Sequence, residues 1–324
     1  ITNSNPWDNL LFDEEKLKET QRKFFGTLYN TYSFFALYAN VDGFTHAEPE
    51  IPVSERPEID RWIVSLLHTL CQQADDLYAD YEATRAARLI TDFVCDHLSN
   101  WYVRLCRRRF WKGEYNADKI AAYQTLYTCL KTVAKLMSPV APFFSDWLYQ
   151  NLNTATGKET AQSVHLASFP KANPTLIDPL LEERMELAQN ISSLTLALRK
   201  KVEIKVRQPL QKILVPVLNE QQQQQIERVK DLILSEVNVK ELEFITDTTG
   251  LVIKKVKPDF KKLGGRLGKN MSVVKDLLEG VKDKQGNVVK EGFTQHQITD
   301  FERSGNAVLM LNNEPVLISL DEVI

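Results

Sequence analysis

The chain has 324 residues, 43% hydrophobic and 26% charged, with a net charge of −3. That length exceeds one average domain and the proportions suit a well-filled core, so two or three domains are expected. No apolar run approaches the roughly 20 residues a membrane span needs, and the near-neutral balance excludes a diffuse polycation. The chain opens ITNSNPWDNLLFDEE, polar then acidic, which is not a secretory leader, and both ends read as cut from something longer.

Residues 14–39 predict a helix, because Phe24, Phe25, Leu28, Tyr32, Phe35 and Tyr38 recur at a spacing of three or four. Residues 40–57 carry Gly43, Pro49, Pro52 and Pro57, a loop that no helix crosses. Ile59, Trp62, Ile63, Leu66, Leu67, Leu70, Ala74 and Leu77 then form one continuous helical stripe. Another helix is expected from Tyr81 to about Trp111, with a break near Ser99-Asn100, and another over 118–137. A short amphipathic helix follows from Pro142 to Leu152. Long helices joined by short loops predict an antiparallel bundle.

From 153 to 179 the composition turns to Asn, Thr, Gly and Ser around Pro170, Pro174 and Pro179, the chemistry of a linker. A helix is expected from about Leu180 to Lys201. Beyond it the period switches, with strands at 212–217, 239–245 and 251–256, a helix at 220–235, a turn and helix over 264–280, and a closing hairpin of 307–311 with 316–320. The expected fold is therefore mostly α, a helix bundle followed by a small α+β region. The expected boundaries are 1–160 for the bundle, 161–185 for a linker, 186–260 for a small α+β domain and 261–324 for a basic helix with a hairpin.

Charge is unevenly placed. Residues 1–60 hold five basic side chains against eleven acidic ones, residues 85–112 hold seven against Asp92 and Asp96, and residues 254–275 hold eight against Asp259 alone. Localised basic segments on a near-neutral chain fit a polyanion bound at a defined place. In NWYVRLCRRRFWKG (Asn100–Gly113), a 100° step puts Tyr102, Val103, Cys106 and Phe110 toward the core and Trp101, Arg104, Arg108, Trp111 and Lys112 on the other side. Cations beside indoles suit RNA, the cations on phosphates and the rings stacked on unpaired bases. The competing reading packs the aromatics on a neighbouring helix and pairs the arginines with acids of the first 60 residues.

The second basic stretch, KPDFKKLGGRLGKNMSVVKD, surrounds glycines that permit a tight turn, and the helix after them offers a positive N-terminus to phosphate. A solvated basic turn is the competing reading. Its glycines do not have the spacing of a nucleotide-binding loop. Cysteines at 71, 95, 106 and 129 lack C-x-x-C spacing, so buried free thiols in a reducing cytoplasm are expected and no metal site. Five scattered histidines and unpaired acids give no catalytic constellation.

Together these residues resemble the isoleucyl-tRNA synthetase family of class I synthetases. Pro6-Trp7-Asp8-Asn9-Leu10 is similar to the segment leaving its catalytic domain. RKFFGTLYNTYSFFALYANVDGF, ERPEIDRWIVSLLHTL, SNWYVRLCRRRFW and MSPVAPFFSDWLYQNL resemble its anticodon-binding bundle, in order. VRQPLQKILVPV, SEVNVKELEFI and KPDFKKLGGRLGK resemble the region after the bundle in the eukaryote-like branch. Leu105 and Cys106 stand where the family pattern has a basic residue and a serine, which argues against a tRNA role for position 105. Lys269-Asn270-Met271-Ser272 is not the family's KMSKS loop, because Val273 replaces the basic residue that should follow.

The resemblance implies a non-catalytic C-terminal piece that grips the anticodon stem-loop of tRNA(Ile). Its implied tRNA contacts are Trp101, Arg104, Arg107, Arg108, Arg109, Trp111 and Lys112, with Lys254, Lys255, Lys257, Lys261, Lys262, Arg266 and Lys269. It further implies catalytic and editing domains upstream in the same chain, using ATP and zinc to attach isoleucine and clear mischarged tRNA, in the cytoplasm and with no DNA or membrane partner. The alternatives are the same region of a valyl- or leucyl-type enzyme, or a helical protein-interaction scaffold.

Overall fold

The computed structural model describes residues 9, 13–217, 219–246, 256–282, 288–311 and 314–323. Two compact units emerge, one of residues 1–211 with 224–241 and one of residues 212–223 with 242–324. Of the Pro6–Leu10 motif only Asn9 lies within the described residues, and the strand expected at 251–256 falls outside them except for Val256.

The first unit is the bundle. Helix α1 (Glu14–Thr20) starts at Asp13, whose carboxylate accepts from the Glu15 and Lys16 amides, and passes through a π-helical turn, Gln21–Phe25, into α2 (Gly26–Asp42). Gly43, at φ 69°, ends α2 in the left-handed conformation that glycine tolerates. Helix α3 (Glu58–Ala79) carries the expected stripe. Then α4 (Ala83–Asp92) continues without a break through an 11-residue π-helical stretch, Phe93–Val103, into α5 (Arg104–Trp111). Helix α6 (Ala117–Met137) is buried around most of its girth, which marks it as a central rod. Helix α7 (Pro142–Thr156) packs along it.

Buried polar groups tie the loops to these rods. Arg56, 4% exposed, donates to the Ile51 carbonyl, to Thr125 on α6 and to Glu50, while Gln124 bonds both the Ile51 amide and the Pro49 carbonyl. The proline-rich loop is thereby pinned on α6, and its buried backbone groups find partners.

Residues 157–178 are not a free linker. Glu159 takes Lys131 at 2.9 Å and Lys135 at 2.7 Å, Asp146 accepts from Ser163 and the Val164 amide, and the Asp178 amide donates to Ser65 on α3. Helix α8 (Pro179–Lys201) begins at the Asp178 cap and lies on α3, where Glu182 accepts from Ser65 and Thr69 and Arg184 donates to Glu58. It belongs to the bundle unit and not to a domain beyond a linker at 161–185. Of the small polar residues that read as linker composition, Ser163 makes one of these bonds, and the acids Glu159 and Asp178 anchor the rest of the segment.

Strand β1 (Leu210–Pro216) and β2 (Val239–Ile245) form a two-stranded sheet, connected by α9 (Glu220–Arg228) and α10 (Lys230–Val237). Helix α10 packs on α8. Further on come α11 (Phe260–Leu267), α12 (Met271–Glu279), β3 (Val281–Lys282), β4 (Val288–Lys290), α13 (Gln295–Ser304), β5 (Asn306–Leu311) and β6 (Glu314–Ser319). The expected hairpin is β5 and β6, antiparallel from Asn306↔Ser319 to Leu311↔Glu314. This unit has its own core, built on Leu263, Val274, Leu278, Phe301, Leu309 and Ile318. Gly264-Gly265 lie inside α11, not in a turn; the chain turns at Gly268, at φ 38°.

Candidate nucleic-acid interface

The stretch from Asn100 to Lys112 divides into two environments. In α5, a regular α-helix, residues three and four apart share a face. Arg107, Arg108 and Trp111 are exposed there, with Trp111 at 57%, and Lys112, the extended residue that ends the helix, is exposed with its ammonium 5.6 Å from the Trp111 ring centroid. Neither Arg107 nor Arg108 forms an ion pair among the described residues. Cys106 and Phe110 face inward, and burial pushes the Cys106 thiol up to about 12. All four cysteines are buried and unbridged, and no cluster of His, Cys, Asp or Glu among the described residues could hold a metal ion.

Two of the residues implied as tRNA contacts, Trp101 of the expected exposed face and Arg109, are held inside the fold. Trp101 is 5% exposed, with its indole nitrogen buried and without a hydrogen-bond partner among the described residues. The cause is the π-helical stretch ahead of α5. Its i→i+5 bonding turns each residue through a smaller angle than an α-helix does, so a uniform 100° step misplaces Trp101. Arg109 is locked: its guanidinium grips fully buried Asp60 through bonds of 2.6 and 2.8 Å and also reaches Asp118. Tyr102 donates to the same Asp60 at 2.8 Å. For Arg109 the competing reading holds, since Asp60 is one of the acids within the first 60 residues.

Arg104 takes a middle position. Its side chain is 41% exposed, its Nε donates to the Asn100 carbonyl at 2.7 Å, and its terminal nitrogen pairs with Glu236 of α10. Sequence reading could not foresee that partner, 132 residues away.

In the second unit, Lys257 and Lys261 are exposed. Lys262 donates to the Asp321 carbonyl and Arg266 pairs with Glu322 at 2.7 Å, so an acidic turn near the end of the chain already engages both. The N-terminus of α11 is likewise taken, because the Asp259 carboxylate accepts from the Lys261 and Lys262 amides. The helix expected after the glycines is α12, whose N-cap residue, Asn270, makes no side-chain capping bond. Lys254 and Lys255, and the side chain of Lys269, lie outside the described residues.

A mostly helical bundle presenting an arginine-tryptophan face defines a class, and residues 60–214 match the anticodon-binding domain of tRNA ligase. Over 323 residues the chain is 54% identical to the isoleucine–tRNA ligase of Bacteroides thetaiotaomicron and 53% identical to that of Porphyromonas gingivalis, covering all of this chain and 27% of each relative. Over 241 residues it is 44% identical to the Dehalococcoides mccartyi isoleucine–tRNA ligase, covering 74% of this chain and 24% of that protein. The chain belongs to the isoleucine–tRNA ligase family, and it spans roughly a quarter of the length of these relatives.

Proposed function

We propose that this chain holds the anticodon stem-loop of tRNA(Ile) for a longer isoleucine–tRNA ligase, and performs no chemistry alone. Attachment of isoleucine with ATP, removal of mischarged residues and the zinc expected of the family belong, in this reading, to parts of the protein outside these 324 residues, in the cytoplasm. No helix among the described residues is long and apolar enough to cross a membrane. The observation that carries the reading is the exposed set of Arg107, Arg108 and Trp111 on one short helix with Lys112 at its C-cap, inside the stretch that matches an anticodon-binding domain. Arginines without an acid partner meet phosphates, and an exposed indole offers a stacking surface for an unpaired base.

The test is tRNA affinity as a function of salt. Each lost phosphate contact lowers the slope of log K against log salt by about 0.7 to 0.9, so Arg107→Ala and Arg108→Ala should weaken binding and flatten that dependence. A scaffold contact built on apolar area would instead be nearly indifferent to salt, and finding that would refute the reading.

A further inference from the structure

Among the described residues the buried arginines are Arg56, Arg184 and Arg199, all in the bundle unit. Arg56 pairs with Glu50 at 2.6 Å and Arg184 with Glu58 at 3.1 Å. Arg199, in the last turn of α8 and 3% exposed, has no carboxylate partner among the described residues. One terminal nitrogen reaches the carbonyls of Lys205 at 2.8 Å, Val206 at 3.0 Å and Gln208, while Nε and Nη1 have no acceptor among the described residues. A guanidinium keeps its proton in proteins, so Arg199 is a buried positive charge with no counter-charge beside it.

The segment that Arg199 holds is itself basic. Residues 199–207 read RKKVEIKVR, five cations against Glu203 alone. Lys200, Lys201, Lys205 and Arg207 are all exposed, and none forms an ion pair among the described residues. Lys200 and Lys201 lie near the end of α8, where cations offset the helix dipole, and that accounts for their sign. The dipole acts only within the last turn, so it does not account for Lys205 and Arg207. Their backbone is pinned: the Gln208 amide donates to the Lys205 carbonyl at 3.0 Å, and the Asn238 side chain donates to the Val206 carbonyl at 2.8 Å. The second unit treats its cations differently, since Lys262 and Arg266 there already engage Asp321 and Glu322.

We infer, resting on the RNA-binding reading above, that residues 200–207 form a second phosphate-binding surface, with Lys205 and Arg207 as its contacts and Arg199 as the residue that positions them. A buried charge without a counter-charge adds to the potential of the cations above it, and a phosphate chain supplies the missing anions. The segment carries no aromatic side chain and so offers no stacking surface to a base. Contact is therefore with the RNA backbone alone, which positions the RNA without reading its sequence.

The experiment measures the affinity of the 324-residue chain over a range of salt, for tRNA(Ile) and for the same RNA with its anticodon loop replaced. Lys205→Ala combined with Arg207→Ala changes exposed side chains only, so the melting temperature should not move. The salt slope should fall by about 1.4 to 1.8, two phosphate contacts, and binding at about 0.1 M salt should weaken about 25- to 60-fold, by the same factor for both RNAs. Arg199→Lys keeps the charge but replaces the planar guanidinium, and it should also lower the slope although Lys205 and Arg207 remain. A double variant whose slope and affinity match the unmodified chain, while Arg108→Ala flattens the slope, makes the segment a solvated face and overturns the inference with RNA binding kept. A loss confined to one of the two RNAs overturns the backbone-only contact, and an unchanged slope for Arg199→Lys overturns its positioning role. If the unmodified chain binds neither RNA, the functional reading falls and this surface with it.

Discussion

Arg109 and Arg108 are adjacent in sequence, but Arg109 grips buried Asp60 while Arg108 is exposed, a difference that a pair of substitutions separates. Asp60 is fully buried, and three of its hydrogen bonds come from Arg109 and Tyr102. Arg109→Met removes two of those three and leaves a carboxylate inside the bundle with only the Tyr102 hydroxyl. Breaking a buried ion pair by deleting one partner costs about 3–5 kcal/mol, and the Arg109 side chain is 16% exposed, so about 3–4 kcal/mol is expected. Replacing both ends, as in Asp60→Leu with Arg109→Met, removes the stranded charge and should recover at least about 1–2 kcal/mol of that loss. Arg108→Ala, on the exposed face, should change stability by less than about 0.5 kcal/mol.

Urea unfolding followed by tryptophan fluorescence reads this cleanly. Every described tryptophan (Trp62, Trp101, Trp111, Trp147) belongs to the bundle unit, so the signal follows that unit alone. The midpoint should fall steeply for Arg109→Met, partly recover in the double variant and barely move for Arg108→Ala. Additive single effects, or a loss under about 1 kcal/mol for Arg109→Met, would mean that the Asp60 pair is not formed and that Arg109 is free for RNA after all.

Trp111→Ala should lower tRNA affinity by roughly 1–3 kcal/mol with no change in salt slope, as stacking releases few counterions; a flattened slope would tie the indole to phosphate binding instead. Burial works to raise the Glu159 carboxyl, yet hydrogen bonds from Lys135 and Lys131 overcome it and hold the pKa at about 2 against an ordinary 4.5. That stabilisation is complete above the ordinary value and is lost as pH falls from about 4.5 toward 2, an acid-limb loss of about 1–2 kcal/mol that Glu159→Gln should lack in pH-dependent melts. Met185→Ala should cost about 2–4 kcal/mol of bundle stability, because this side chain of α8 is 3% exposed; a cost below 1 kcal/mol would show α8 to be merely tethered. Isoleucine-dependent pyrophosphate exchange by the purified chain should not exceed a buffer control.

The bundle was legible because its helices carry apolar stripes at a period that nothing else produces. Gly43 and the prolines after it mark a loop, and the stripe from Ile59 to Leu77 marks α3. Elements held by polar detail were harder to see. Residues 157–178 have linker composition, yet the Glu159 and Ser163 side chains and the Asp178 amide bond the bundle. Helix α13 escaped notice although Thr294 and Gln297 form a capping box, a signal present in the sequence itself. The Gly264-Gly265 pair suggested a turn from glycine's freedom, whereas neither residue has positive φ and the left-handed position is Gly268.

The candidate site was half legible for a single geometric reason. Helical-wheel reasoning assigns one angle per residue, and the stretch from Phe93 to Val103 does not keep the α-helical angle. After Arg104 the helix is regular, and there the wheel works: Arg108 and Trp111 are exposed while Cys106 and Phe110 are buried. Before Arg104 it places Tyr102 and Val103 in the core correctly but misplaces Trp101, which falls into the wall of a cleft instead of joining the exposed face. The change of helical period therefore sorts one basic-aromatic run into a buried wall and an exposed rim. Arg104, the first residue of the regular helix, sits at the junction and covers the former from the latter. An insertion or deletion that restored α-helical period through 93–103 would rotate Trp101 relative to the α5 arginines. If the α5 arginines bind RNA as proposed, salt-dependent binding should survive such a change, because the exposed face of α5 itself is unaltered.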